Sequence, residues 1–199
     1  MAFEPWKKHP FLTRDRLQIV AQILRQVRQE TADLHSPQSG DNGWSLGCRA
    51  YARSCWALRR AVGDYVWLTM VREEQNYRFT FAIGGIPIRF YHGDSDGAPD
   101  KYATITDGEL SQYKLAFGDE DVEIADVLRI AIETDAAGAP TAITLVQLDR
   151  QNNPIDTYMI PADNKKIVPL QQKGITLPRP KIEPLKPKEQ KRKNERDAG

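Results

Sequence analysis

The tripeptide His-Gly-Asp at 92–94 is the part of this sequence whose residue types best suit proton transfer or metal binding. An imidazole titrates near neutral pH, and two more carboxylates follow at Asp96 and Asp100. The run lacks the ligand spacing and terminal Glu of an EF-hand loop, and it matches no other motif with a recognised mechanism. His92 would serve equally well as a structural residue that pairs with Tyr77 at the open end of a hairpin.

A second acidic group surrounds the turns of the C-terminal strands. Glu133, Asp135 and Asp149 are the types of side chain that hold the cation of a metal-dependent nuclease, where two or three carboxylates from adjacent strands activate water. No Lys lies in these strands to assist them, and carboxylates at turns are commonly just solvated. The sequence therefore leaves open a small metal-dependent nuclease or hydrolase that uses these three residues, with His92 nearby, as an alternative to a purely structural role.

Other catalytic signatures are absent from the sequence. It contains no GxSxG motif and no Gly-rich phosphate loop, and its three histidines are far apart. Cys48 and Cys55 are separated by two helical turns, about 10 Å, which is too far for a disulfide. Core packing is the simpler prediction for both cysteines. Neither a metal site nor a cofactor is expected.

Arginine and aromatic side chains recur together on two predicted surfaces. Such combinations hold phosphates and stack bases, although an ordinary solvated face, with Arg lying over Trp, has the same composition. Arg78 and Arg89 could also pair with Glu73, Glu74 or Glu133. The first surface is a helical stripe of Arg49, Arg53, Trp56 and Arg60, and the second is a hairpin face with Arg78, Arg89 and Tyr91.

Charge is divided unevenly along the chain. Residues 170–199 contain nine basic and four acidic side chains, including the run Lys191-Arg192-Lys193, so this tail carries +5. The remainder carries −4, because the whole chain is +1. A basic tail on a mildly acidic body is typical of a protein with an anionic partner, or of a solubilising or partner-docking extension.

Length and composition limit the class of protein. The 199 residues, 40% of them hydrophobic, suffice for one domain with tails. No apolar run approaches the roughly 18 residues that span a bilayer, and the first ten residues do not resemble a signal peptide. With only two cysteines, no disulfide framework is available. These observations predict a cytoplasmic protein that does not use a membrane.

Two helices are predicted in the N-terminal third. The first covers 13–34, with Thr13 as its N-cap, and could pack on the body or on a partner. The second covers 44–61. Its a/d-like seam is predicted to face the core, and it consists of Trp44, Cys48, Tyr51, Cys55, Leu58 and Val62.

The clearest local pattern is a hairpin over 77–92. Gly84-Gly85 forms the turn, and the resulting register pairs Ile83 with Ile86 and Phe81 with Ile88. Strongly apolar and mixed side chains then fall on opposite faces. Pro87 has no N–H, which predicts that its strand lies at a sheet edge, at least near the turn.

The remaining elements complete an α+β fold. A short helix is predicted over 108–117, capped by Asp107, and a three-stranded meander over 127–160. We expect an antiparallel sheet of five to six strands packed by the helix at 44–61 and the short helix, with a separate N-terminal helix at 13–34. The predicted organisation is an N-terminal helix and hinge loop (1–43), a core domain (44–161) and an extended basic tail (162–199).

These features favour a non-enzymatic interaction or accessory protein. Its partner would be a protein or a nucleic acid, since no catalytic constellation is complete. The small metal-dependent nuclease or hydrolase described above is the alternative.

Overall fold

The computed structural model describes residues 3–73, 76, 78–117, 127–149 and 151–162, which all belong to one compact unit. The helices are α1 (Pro5–Lys8), α2 (Arg14–Asp33), α3 (Gly43–Ala61), α4 (Asp100–Ala103) and α5 (Asp107–Phe117). The strands are β1 (Leu68–Arg72), β2 (Thr80–Ile83), β3 (Ile86–His92), β4 (Val127–Thr134), β5 (Pro140–Leu148) and β6 (Pro154–Met159). The predicted tail at 162–199, apart from its first residue, lies outside the described residues.

The six strands form one sheet in sequence order, which confirms the α+β prediction. Four of the five neighbouring pairs are antiparallel, whereas β3 and β4 are parallel. A parallel pair needs a long crossover, and the chain between these two strands contains α4 and α5. This crossover brings both helices to one face of the sheet.

The predicted hairpin has the predicted register, with Phe81 opposite Ile88 and Ile83 opposite Ile86. The inference that Pro87 marks an edge strand is wrong for β3 as a whole, because β3 lies between β2 and β4. Pairing with β4 begins only at Arg89, although the same register sets Val127, the first residue of β4, opposite Pro87. The missing N–H therefore interrupts no ladder on that side.

One face of the sheet is covered by α2 and α3, which share a continuous apolar core with the strands. Thr13 caps α2 as predicted, accepting a hydrogen bond from the Arg16 amide at 3.4 Å. The seam predicted for α3 is only half correct: Cys55 and Leu58 are fully buried, but Trp44 is 77% exposed and Cys48 is also exposed. In the first turns of α3 the buried side chains are instead Leu46 and Ala50, so the core-facing side of the helix is rotated away from Trp44 and Cys48.

The opposite face carries a second, smaller core beneath the α4–α5 crossover. Tyr91 of β3, Ala131 of β4 and Val146 of β5 belong to it. Because side chains alternate along a strand, Arg89 and Arg129 point to the same side as Tyr91 and Ala131. The hairpin face predicted to be mixed and partly polar is thus covered, and Arg89 is buried within it.

Candidate anion-binding sites

Two arginines and one glutamate form a buried charged cluster under the crossover. The parallel register places Arg89 of β3 opposite Arg129 of β4. Glu109, from the first turn of α5, lies between them: its Oε1 is 2.6 Å from Arg129 Nη1 and its Oε2 is 3.3 Å from Arg89 Nε. All three side chains are at most 3% exposed. The cluster ties two interior strands to the helix that crosses them.

Local sequence explains how Glu109 reaches this position. Thr106 and Glu109 form a capping box: the Glu109 amide donates to Thr106 Oγ1, and the Thr106 amide donates to Glu109 Oε2 at 2.8 Å. Thr106, rather than the predicted Asp107, is therefore the capping residue of α5. The motif T-x-x-E was present in the sequence and is the signal that would have identified it.

Backbone carbonyls satisfy much of the remaining donor capacity. Arg129 donates through Nε to the Tyr102 carbonyl at 2.6 Å, and Arg89 donates through Nη2 to the same oxygen at 3.0 Å. Both guanidiniums also donate to the Thr104 carbonyl. These contacts hold the segment between α4 and α5 against the sheet.

The cluster contains more positive than negative charge. Burial lowers the pKa of Arg89, and it lowers the pKa of Arg129 to about 10, with Glu109 acting in the opposite direction in both cases. Both guanidiniums are still protonated at neutral pH, so two cations share one carboxylate. An excess buried cation is unfavourable unless an anion lies near it.

A cavity of about 370 Å³ opens beside this cluster. Four cationic side chains contribute to its lining, from β1, the segment before β2, β3 and α4: Arg72, Arg78, Arg89 and Lys101. The rest of the described lining is Thr104, Ile105, Thr106 and Asp107, which supplies one carboxylate. The structure thus brings together the predicted residues Arg78 and Arg89 in one cavity.

The helical stripe predicted on α3 also lies on one surface. Arg53, Trp56 and Arg60 are all exposed, and the Arg60 guanidinium is 4.7 Å from the centre of the Trp56 ring. Arg49 is half-buried and donates to Asp41 Oδ2 at 2.7 Å. The four residues span about 16 Å at 1.5 Å per helical residue.

Other predicted site residues have different surroundings. Tyr91 is buried, donates its hydroxyl to the Asp94 carbonyl at 3.0 Å and packs on Tyr102, so it offers no surface to a ligand. Burial raises the pKa of Tyr91 to about 12. The tail residues Lys191, Arg192 and Lys193 lie outside the described residues.

The structure does not gather the acidic residues of the nuclease hypothesis. Asp135 and Asp149 flank the nine-residue strand β5, so about 30 Å of extended chain separates them. Each of these two aspartates accepts backbone amides within its own turn. A hydrogen bond from the Asn153 side chain, together with those from the Asn153 and Gln151 amides, lowers the pKa of Asp149. Glu133 accepts the Ser95 amide at 3.2 Å.

His92 lies at the end of β3 beside β4. Its Nε2 is 2.9 Å from the Thr134 hydroxyl, and partial burial, with the charge of Arg28, lowers its pKa. Within the described part of the chain, no group of three or more His, Cys, Asp or Glu side chains could hold a metal ion.

Comparison with family models, curated proteins and solved structures finds no significant match to this chain. None of the helices in the described ranges is both long and apolar enough to cross a membrane. The function is therefore argued from the residues of this chain alone.

Sequence reasoning missed Arg72, Lys101, Glu109 and Arg129 as members of a charged site. Arg72 and Lys101 are ordinary surface residues in the sequence. Arg129 alternates with apolar neighbours on a strand, a pattern that is typical of a sheet with one covered face and one open face. Only the three-dimensional structure shows that the α4–α5 crossover covers the face of the sheet on which Arg129 lies.

Proposed function

We propose that this protein is a non-enzymatic binding protein that takes single-stranded nucleic acid on the exposed face of α3. The observation that carries the proposal is the exposed stripe of that helix. α3 contains four arginines and no acidic residue. Arg49 and Arg59 pair with Asp41 and Glu73, whereas Arg53 and Arg60 are exposed beside Trp56. The chain outside the basic tail is net negative, so this helix concentrates positive charge on an otherwise mildly acidic body. A nucleic acid backbone, with its repeated phosphates, is the kind of polyanion that such a surface attracts.

The exposed indole favours a nucleic acid over an acidic protein. Trp56 is 52% exposed, and Arg60 already lies over its ring. A base stacks on such a ring for about 1–3 kcal/mol, with Arg53 and Arg60 close enough to meet flanking phosphates. Stacking requires a base that is unpaired and splayed out, which favours a single strand over a duplex. The basic tail adds attraction that does not depend on sequence.

The test is binding of the full-length protein to a fluorescent single-stranded 12-mer RNA and to the matched duplex across a salt series. We expect single-strand binding that weakens with salt, and a loss of about tenfold in Trp56→Ala, the lower part of the stacking range. Arg53→Gln should weaken binding and reduce the salt slope.

Trp44→Ala is the matched control, because Trp44 is an exposed indole of the same helix about 140° around the axis from Arg49. It should bind like the wild type. If Trp44→Ala and Trp56→Ala lose affinity equally, or if the protein prefers the duplex, the proposal that bases stack on the α3 stripe is contradicted. Absence of binding to both the single strand and the duplex at low salt would also refute the proposal. Capture of an acidic protein by the same stripe would then identify the other class of partner.

A further inference from the structure

The cavity beside Arg89 differs from the α3 stripe in shape and in how its charge is held. The stripe is a convex helix surface, whereas the cavity encloses about 370 Å³, within the usual range for small-ligand sites. Its cationic lining residues come from β1, the segment before β2, β3 and α4. Four cationic side chains from separate elements thus border one cavity, an arrangement that suits an anionic ligand.

The base of the cavity is preorganised. Arg89 is fully buried and its guanidinium is fixed by Glu109 and by the carbonyls of Lys101, Tyr102 and Thr104. Most of its N–H groups already donate to these partners, so Arg89 supplies mainly a fixed positive charge at the base of the cavity. Lys101 and Arg78 are exposed at the rim, where they can adjust to a ligand.

The number of cationic groups indicates which anion fits. The described lining holds four cationic side chains and the single carboxylate of Asp107. Beneath it, Glu109 is shared between Arg89 and Arg129. A carboxylate or a phosphodiester brings one negative charge, but a phosphomonoester brings about 1.5 to 2 at neutral pH, with three oxygens for Arg and Lys donors.

We propose that this cavity binds a phosphomonoester group, with Arg89 at its base and Arg72, Arg78 and Lys101 around it. The group could belong to a free mononucleotide or to the phosphorylated end of a nucleic acid chain. The inference does not rest on the function proposed for α3, because it uses different residues.

The test is calorimetric titration of the full-length protein with adenosine 5′-monophosphate, adenosine, and a trinucleotide with or without a 5′-phosphate. We expect both phosphorylated probes, or one of them, to bind and their unphosphorylated counterparts not to bind in the cavity. Binding of the mononucleotide alone identifies a small-molecule site, and binding of the phosphorylated trinucleotide alone identifies a chain-end site.

The variants use rim residues, because replacing the buried Arg89 would change the free energy of unfolding as well as the binding. Arg78→Gln and Lys101→Gln should each weaken phosphate-dependent binding about tenfold, equivalent to about 1.4 kcal/mol. Arg53→Gln, on α3, is the charge-matched control and should leave it unchanged. Absence of a phosphate-dependent signal, or equal losses in Arg53→Gln and Arg78→Gln, would overturn the proposal. Either result would leave the proposal for α3 unaffected, because the Trp56→Ala experiment tests that proposal independently.

Discussion

Replacing Glu109 by glutamine tests how the second core is held together. The change keeps the shape of the side chain but leaves two guanidiniums, each at most 1% exposed, without a carboxylate. Removing one partner of a buried ion pair costs about 3–5 kcal/mol. The amide oxygen can still accept one hydrogen bond and the nearby carbonyls are unchanged, so we expect about 3 kcal/mol. That is a large share of the roughly 5–15 kcal/mol that stabilises a typical domain.

Urea denaturation followed by tryptophan fluorescence measures this loss, provided that the m-value is unchanged. Asp107→Asn is the control, because it removes the same charge two residues earlier at an exposed position. It should change the free energy of unfolding by less than about 0.5 kcal/mol. The cost of Glu109→Gln should persist at high salt, since buried pairs are poorly screened.

A double-mutant cycle separates charge from packing. In an Arg89→Met background, Glu109→Gln leaves one cation without a carboxylate instead of two, so its cost should fall. A cost below about 1 kcal/mol for Glu109→Gln in the wild type, or an equal cost in both backgrounds, would refute the ion-pair account.

Four further outcomes are expected. A thiol reagent should modify Cys48 quickly and Cys55 only on unfolding, because Cys55 is fully buried and burial raises its pKa to about 12. The raised pKa also predicts that the free energy of unfolding falls as pH rises from about 9 to 12, because the Cys55 thiol loses its proton at lower pH in the unfolded chain than in the folded protein. Cys55→Ala should therefore make the free energy of unfolding less dependent on pH in this range. Gly84→Ala should destabilise by more than about 1 kcal/mol in urea denaturation, because Gly84 has φ of +57° and an added Cβ would collide with Phe11. Thr106→Val should cost about 1 kcal/mol in the same assay through loss of the α5 cap.

Each of these outcomes has a result that would contradict it. Two rapidly reacting thiols in the native protein would exclude a buried Cys55, and a pH slope unchanged in Cys55→Ala would assign the alkaline loss to other groups. Gly85→Ala is the useful comparison for the turn, because its φ is also positive but its added Cβ would approach Ala116 only to 3.4 Å. If Gly85→Ala costs as much as Gly84→Ala, backbone conformation rather than the collision is responsible. A Thr106→Val variant as stable as the wild type would show that the cap is dispensable.

Patterns confined to a few neighbouring residues predicted the local structure well. The hairpin register followed from Gly84-Gly85 and the alternation around it, because a two-residue turn leaves only one pairing that keeps apolar side chains together. The α3 stripe followed from helical periodicity, and its composition is visible without a structure. The same periodicity failed for Trp44, because it describes which residues share a face but not whether anything covers that face.

The sequence by itself determined the elements, their faces and the charge that each face carries. Only the tertiary structure decided that β3 and β4 run parallel, that the crossover returns over them, and that Glu109 reaches Arg89 and Arg129. These residues are 20 or more positions apart, and no local pattern links them because strand pairing depends on the free energy of the whole packed sheet. The cavity depends on that crossover, since it carries Lys101 and Asp107 to the side of the sheet where Arg72, Arg78 and Arg89 lie.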